Sequence, residues 1–100
     1  MLRMRVNFAA TVLNNGDVAV CGGQTAAFQV TNECEVFRNG LWARLPAMKI
    51  RRAALTVVQM GRYLFAFGGS DENDKPLKSI ERLDLEKLGS QWEIIVPEMM

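Results

Sequence analysis

Histidine is absent from the 100-residue chain. That removes the commonest general base, the commonest metal ligand and the usual partner of a catalytic serine. Cysteine occurs only twice, at Cys21 and Cys34, which is too few for a disulfide framework and, without histidine, too few for a zinc site. The two read as reduced thiols buried as small hydrophobes. The alternative is one bridge between neighbouring strands, which needs close Cα atoms and an oxidising compartment. Reduced thiols point to a cytoplasmic address. No apolar run approaches the roughly 18 residues that span a bilayer, and Met1-Leu2-Arg3-Met4-Arg5 is too polar for a secretory signal. An excess of one charge is lacking too. With 12 basic and 11 acidic residues, net +1, no nucleic acid and no anionic membrane is expected as partner.

What the chain does have is an apolar share of 49%, ample for the core of one modest domain, and an internal repeat. Gly22-Gly23 recurs as Gly68-Gly69, 46 residues on, and Glu35 recurs as Glu81 at the same offset. Phe37 falls on Leu83, and Trp42 recurs as Trp92, the added length lying in Glu86-Lys87-Leu88-Gly89-Ser90. Met4, Met48 and Met99 align as one repeat position, with Pro46 and Pro97 two residues before the latter two. Several marks in one order at one period identify a repeat architecture.

Each unit divides into four short strands. In the second, Ala53–Val58 and Tyr63–Phe67 are apolar runs joined by a turn at Met60-Gly61-Arg62. Ser79–Leu85 alternates as a half-buried strand does, and Trp92–Val96 follows. The first unit has Phe8–Leu13, Val18–Cys21, Cys34–Phe37 and Leu41–Leu45, with Asn39-Gly40 as a strong hairpin signal. Ser70–Pro76 is dense in turn formers and reads as a surface loop. The fold class is all-β: two four-stranded antiparallel blades of a partial β-propeller, over residues 1–47 and 48–100.

Catalytic and cofactor templates all run short. Gly22-Gly23-Gln24 and Gly68-Gly69-Ser70 open no helix and precede no Lys-Ser/Thr, so neither is a phosphate loop. Asp71-Glu72-Asn73-Asp74 lacks the ligand spacing of a calcium loop and reads as solvated. No cofactor or metal is expected.

The ordered set of double glycine, Glu, Trp and Pro-x-Met resembles the kelch repeat. The closer unit is the second, with Gly68-Gly69, Ser79-Ile80-Glu81-Arg82-Leu83-Asp84, Trp92 and Pro97-Glu98-Met99. The first departs by carrying Arg38 in place of Asp84, and Phe37 where kelch units often carry tyrosine. The resemblance implies structural roles for Gly22, Gly23, Gly68, Gly69, Glu35, Glu81, Trp42 and Trp92, the tryptophans packing between blades. It places the small pairs Ala9-Ala10 and Ala53-Ala54 in innermost strands. It implies a binding surface at one end of the blades, where Arg51 and Arg52 would meet an acidic protein or peptide partner. Asn7 or Phe8 stands at that position in the first unit, and the loops Gln24–Asn32 and Ser70–Pro76 are further candidates, Ser70 and Asp71 among them.

The function that follows is a non-catalytic protein–protein interaction module, in a scaffold or substrate-recruiting role. The alternative is a non-catalytic segment of a propeller enzyme acting on sugars or alcohols. Copper oxidases of that kind need histidine and tyrosine ligands, and the one tyrosine is Tyr63, inside an apolar strand. Two blades do not close a ring of about 4–8. Further kelch blades are therefore expected in cis, or homo-oligomer partners in trans, such as three copies in a six-bladed ring.

Overall fold

Short β-branched and apolar runs, separated by turns at Asn15-Gly16, Asn39-Gly40 and Gly61-Arg62, favour antiparallel hairpins. The computed structural model, which describes residues 4–25 and 29–98, forms two such meanders and no helix among those residues. The first sheet contains β1 (Ala9–Val12), β2 (Val18–Cys21), β3 (Cys34–Arg38) and β4 (Leu41–Leu45). The second contains β5 (Thr56–Met60), β6 (Tyr63–Phe67), β7 (Ile80–Asp84) and β8 (Glu93–Val96). Strand order equals chain order in both sheets, and every pairing is antiparallel.

One strand sits later than the sequence reading places it. Ala53–Val58 was the expected first strand of the second unit, but β5 starts at Thr56. Ala54 takes a left-handed φ of 55° and donates its N–H to the Asn7 carbonyl at 2.7 Å, while Ala53 bridges to Ser70. Ala53-Ala54 therefore straps the first sheet to the second before the strand begins. It is not part of an innermost strand, whereas Ala9 and Ala10 do lie in β1.

Alternation along the strands decides which side chains meet. Ala9, Ala19, Cys21, Cys34 and Val36 share one face of the first sheet, as their register pairs require. They join Val57, Leu64, Ala66, Leu83 and Trp92 of the second sheet in one buried cluster. This is the interface between blades. Trp92, 1% exposed, crosses to the first blade and donates its indole N–H to the Pro46 carbonyl at 2.7 Å. At the far end, the Asn14 amide reaches Gln59 Oε1 at 2.7 Å.

Trp42 behaves differently. It is half-buried on the outer face of its own sheet and stacks on Phe37, ring centroids 5.0 Å apart; among the described residues no second blade covers it. Met4 is also a correction. Aligned with Met48 as one repeat position, it is 83% exposed, whereas Met48 is buried; Met99 lies outside the described residues. The physical alignment of the units runs through two buried arginines, Arg5 and Arg52, described below. Their spacing sets Met1, not Met4, at the Met48 position, and Met1 too lies outside the described residues.

Cys21 and Cys34 correct a second expectation. They face each other across β2 and β3, with Cα atoms 4.1 Å apart, and are joined as a disulfide. The structure thus takes the alternative to two separate thiols, because the register that aligns the strands puts both side chains on the same face at directly opposed positions, within bonding reach.

Burying large aromatic area sets the expected outcome for the two tryptophans. Trp92→Ala should cost about 3–5 kcal/mol, and Trp42→Ala about 1 kcal/mol, the scale of a partly exposed aromatic pair. Urea melts of both variants check this; equal losses would show that Trp92 does not seal the interface.

Candidate functional site

Each blade is organised by an arginine that enters just before its first strand. Arg52 is fully buried, as is Glu81 on β7. The guanidinium donates Nε–H to Glu81 Oε2 at 3.2 Å and Nη2–H to the same oxygen at 3.1 Å. Nη1 donates to the carbonyls of Gly68 and Ser79 at 3.2 and 2.9 Å, and Nη2 to Ser79 Oγ at 2.8 Å. Glu81 in turn accepts the backbone amides of Lys49 at 2.6 Å and Ile50 at 3.1 Å. Burying these charges is tolerable only because so many partners face them.

Arg5 is the counterpart in the first blade. It is buried, pairs with Glu35 through Nη2 at 3.1 Å, and donates Nη1–H to the Gly22 and Glu33 carbonyls at 2.9 and 3.0 Å. Sequence reading offered Asn7 or Phe8 as the partner of Arg52 and missed Arg5, because the offset of 46 defined by the glycines is one residue short here. The paired Arg–Glu combination, with Glu35 and Glu81 already marked, was the signal that could have found it.

Arg52 is therefore not a partner-binding residue. Its donors are spent inside the blade, and no part of it reaches solvent. The other proposed binding residues do converge. Asn7, Ser70 and Asp71 line one polar cleft of about 240 Å³ together with Gln24, Ala53, Ala54, Glu72 and Asp74. Beside it a second cleft of about 200 Å³ is lined by Arg51 with Thr25, Gln29, Thr31, Asn32 and Glu33. Arg51, well exposed, stands 3.8 Å from Glu72 Oε1 across the two.

Local chemistry explains the shape of this rim. Asn7 is held by its side-chain amide on Gln24 Oε1 at 2.9 Å. Asp71 Oδ1 accepts the amides of Asn73 and Lys75 at 2.9 and 3.0 Å, an Asx-type arrangement that builds the loop. Gly23 has φ 104°, and a Cβ there would lie 2.7 Å from the Val6 carbonyl oxygen, so only glycine lets the two loops close. Glu72 and Asp74 add two exposed carboxylates that sequence reading took as mere loop solvation. The part of the Gln24–Asn32 loop at residues 26–28 lies outside the described residues.

Two carboxylates, Glu98 after β8 and Asp84 at the end of β7, are displaced in pKa. Glu98 accepts the amides of Lys78 and Ser79, both at 2.8 Å. Hydrogen bonds from Ser79 and then Lys78 hold its carboxyl below the usual glutamate range. The hydrogen bond from Arg62 at 2.9 Å lowers Asp84 likewise and raises Arg62. A depressed folded pKa stabilises above the unfolded pKa and is lost as pH falls through the folded one. The Lys78 and Ser79 amide resonances should accordingly titrate together, with a midpoint below that of a free glutamate. A midpoint at the ordinary value would show that Glu98 does not clamp this end of β7.

Among the described residues, no group of three or more His, Cys, Asp or Glu side chains is placed to hold a metal ion. Removing one member of the buried pair leaves the other charged and unpaired. Arg52→Met or Glu81→Gln should therefore cost about 3–5 kcal/mol. The double change Arg52→Met with Glu81→Leu should remain destabilised by about 2 kcal/mol, because the Gly68 and Ser79 carbonyls and the Lys49 and Ile50 amides lose partners. Chemical denaturation checks both; a neutral double variant would reduce the pair to a replaceable filler.

Residues 51–99 match the family model of the kelch motif, and this span contains Arg52, Gly68-Gly69, Glu81 and Trp92 in that order. The second sheet carries the kelch motif in sequence, and both four-stranded antiparallel sheets have the architecture that fits kelch-type propeller blades.

Proposed function

We propose that the chain serves as part of a protein-interaction propeller, and that the rim formed by Asn7, Ser70, Asp71, Glu72 and Arg51 is its partner-facing end. Kelch repeats are in general non-catalytic interaction modules, and the rim offers polar groups on loops held by rigid sheets. A scaffold or recruiting role is the reading that this architecture supports. No particular observation favours the sugar- or alcohol-enzyme reading. A cytoplasmic address remains part of the proposal, although its premise of free thiols is gone.

The partner's chemistry changes from the expectation. An acidic partner rested mainly on Arg52, which is buried. What the cleft at Asn7 and Ser70 presents instead is Asp71, Glu72 and Asp74, with Arg51 of the neighbouring cleft 3.8 Å from Glu72. A basic or amide-rich peptide segment fits that balance better than an acidic one. Fluorescence anisotropy with labelled oligo-lysine and oligo-glutamate peptides tests it. The lysine peptide should bind at low salt and lose at least about tenfold in affinity on Glu72→Lys with Asp74→Lys. Preference for the glutamate peptide would restore the acidic partner.

The observation that carries a share in a larger ring is the contrast between two equivalent glycines. A Cβ on Gly22 would collide with the Arg52 carbonyl of the following blade, whereas a Cβ on Gly68 would meet nothing within 4 Å. Gly68 has the same left-handed φ, 73° against 69°, so it keeps the room that a third blade would fill. That blade is read as further kelch repeats in cis, with self-assembly as the other source. Light scattering of the purified chain separates them: a discrete trimer supports closure by copies, and a monomer supports blades in cis.

A further inference from the structure

The segment 22–33 leaves β2 after Cys21 and returns to β3 at Cys34, so the disulfide spans its base. Its counterpart, 68–79, is flanked by Phe67 and Ile80 and has no such bond. At the described residues the two are otherwise built alike. In the first, Thr31 N donates to Gly23 O at 2.9 Å and Thr25 N to Gln29 O at 3.0 Å; in the second, Leu77 N donates to Gly69 O at 2.8 Å and Asp71 N to Lys75 O at 3.1 Å. Arg5 and Arg52 close the two bases by the same pair of carbonyl contacts. The second blade holds this shape with no covalent tie. The disulfide is therefore not a requirement of the fold but an addition to one loop. That loop supplies Gln24 to one cleft of the rim, and Thr25, Gln29 and Asn32 to the other.

We infer that Cys21–Cys34 is a redox-sensitive clasp that sets how firmly the 22–33 loop is held, and through it the firmness of the rim. Both redox states keep the blade folded. The sulfurs lie in the inter-blade core, where Cys21 is 0% and Cys34 2% exposed, and free thiols pack there as small hydrophobes. Oxidation takes two protons and two electrons from the thiols and forms the Sγ–Sγ bond. The electrons go to a small-molecule disulfide, whose own S–S bond breaks to give two thiols. A dithiol reductant reverses this and closes to its own disulfide. Because neither sulfur is exposed, exchange passes through local opening of the hairpin and is slow in the native state. The consequence for binding rests on the rim being the partner-facing end; the clasp itself does not.

Amide hydrogen exchange on the full chain, poised in oxidised or reduced glutathione, tests the clasp without any partner. The redox state in each sample is confirmed by thiol alkylation and mass. In the oxidised chain the amides of 22–25 and 29–33 should exchange about tenfold more slowly than in the reduced chain. The 69–79 amides, the internal control, should not change. Cys21→Ala with Cys34→Ala should match the reduced chain in either buffer. If that variant fails to fold, the wild-type comparison alone decides. Equal protection of 22–25 and 29–33 in the two states, or no bond under the oxidising poise, overturns the clasp. Because no peptide is present, these outcomes are independent of whether the rim binds one.

Discussion

A guanidinium sealed against a glutamate at the threshold of each blade fixes the geometry from which everything else follows. Arg52 contacts Gly68, just after β6, and Ser79, just before β7, so it closes the loop between them at its base. Its partner Glu81 accepts the amides of the connection from the preceding blade. One buried pair thus ties the central hairpin of a blade to the strap that delivers the chain from its neighbour. An apolar pair could fill the volume, but it could not satisfy two carbonyls and two amides in water-free surroundings. This is why the motif runs in the order arginine, double glycine, glutamate across some 30 residues.

The same logic explains a departure between the units. Arg38 stands where the second unit has Asp84. In the first blade Arg38 Nε pairs with Asp17 at 2.6 Å; in the second Arg62 Nε pairs with Asp84 at 2.9 Å. Both pairs link the turn between the first two strands to the end of the third. The signs are exchanged and the contact is kept. A residue-by-residue comparison scores Arg38 as a mismatch, yet the physical constraint is one opposite charge across the turn, which either order satisfies. These are exposed pairs of small individual worth, and their role is to orient the turns.

Much of the fold was legible because it is periodic. The double glycines, the two glutamates, the tryptophans and the strand runs around Val18–Cys21 and Tyr63–Phe67 each carry a local signal that survives in one sequence. The buried role of Arg52 was not legible, since an arginine before a strand looks the same whether its head faces solvent or a carboxylate two strands away. Arg5 was hidden by a one-residue change in spacing: the turn 13–17 of the first unit is longer than Gly61-Arg62, so no single offset aligns both halves of a blade. The disulfide was left open because register, not spacing, decides whether two cysteines oppose each other. At the rim, Asn7, Ser70 and Asp71 were found and do line one cleft. Glu72 and Asp74 were seen but discounted, since only the folded loop shows that they face the same space.

The two open faces of the stack are chemically unequal, and that constrains what each can meet. The outer face of the first blade carries Val12, Phe37 and Trp42, in the positions that Gln59, Leu83 and Trp92 occupy where the second blade is covered by the first. It offers an apolar and aromatic surface to a preceding neighbour. The open face of the second blade is different. Val36, buried against the second blade, is replaced there by Arg82, and Ala43 by Glu93. Arg82 lies 4.2 Å above the Tyr63 ring and 2.6 Å from Glu93. A neighbour that packed on this face as the second blade packs on the first would press apolar side chains onto a guanidinium. It must instead present a carboxylate or an aromatic face at that point. Phe37 and Trp42 of another copy meet the second condition, and a following repeat with an acid in place of Leu64 or Leu83 would meet the first. The direction of stacking is thus written into the chain by one substitution at the centre of β7.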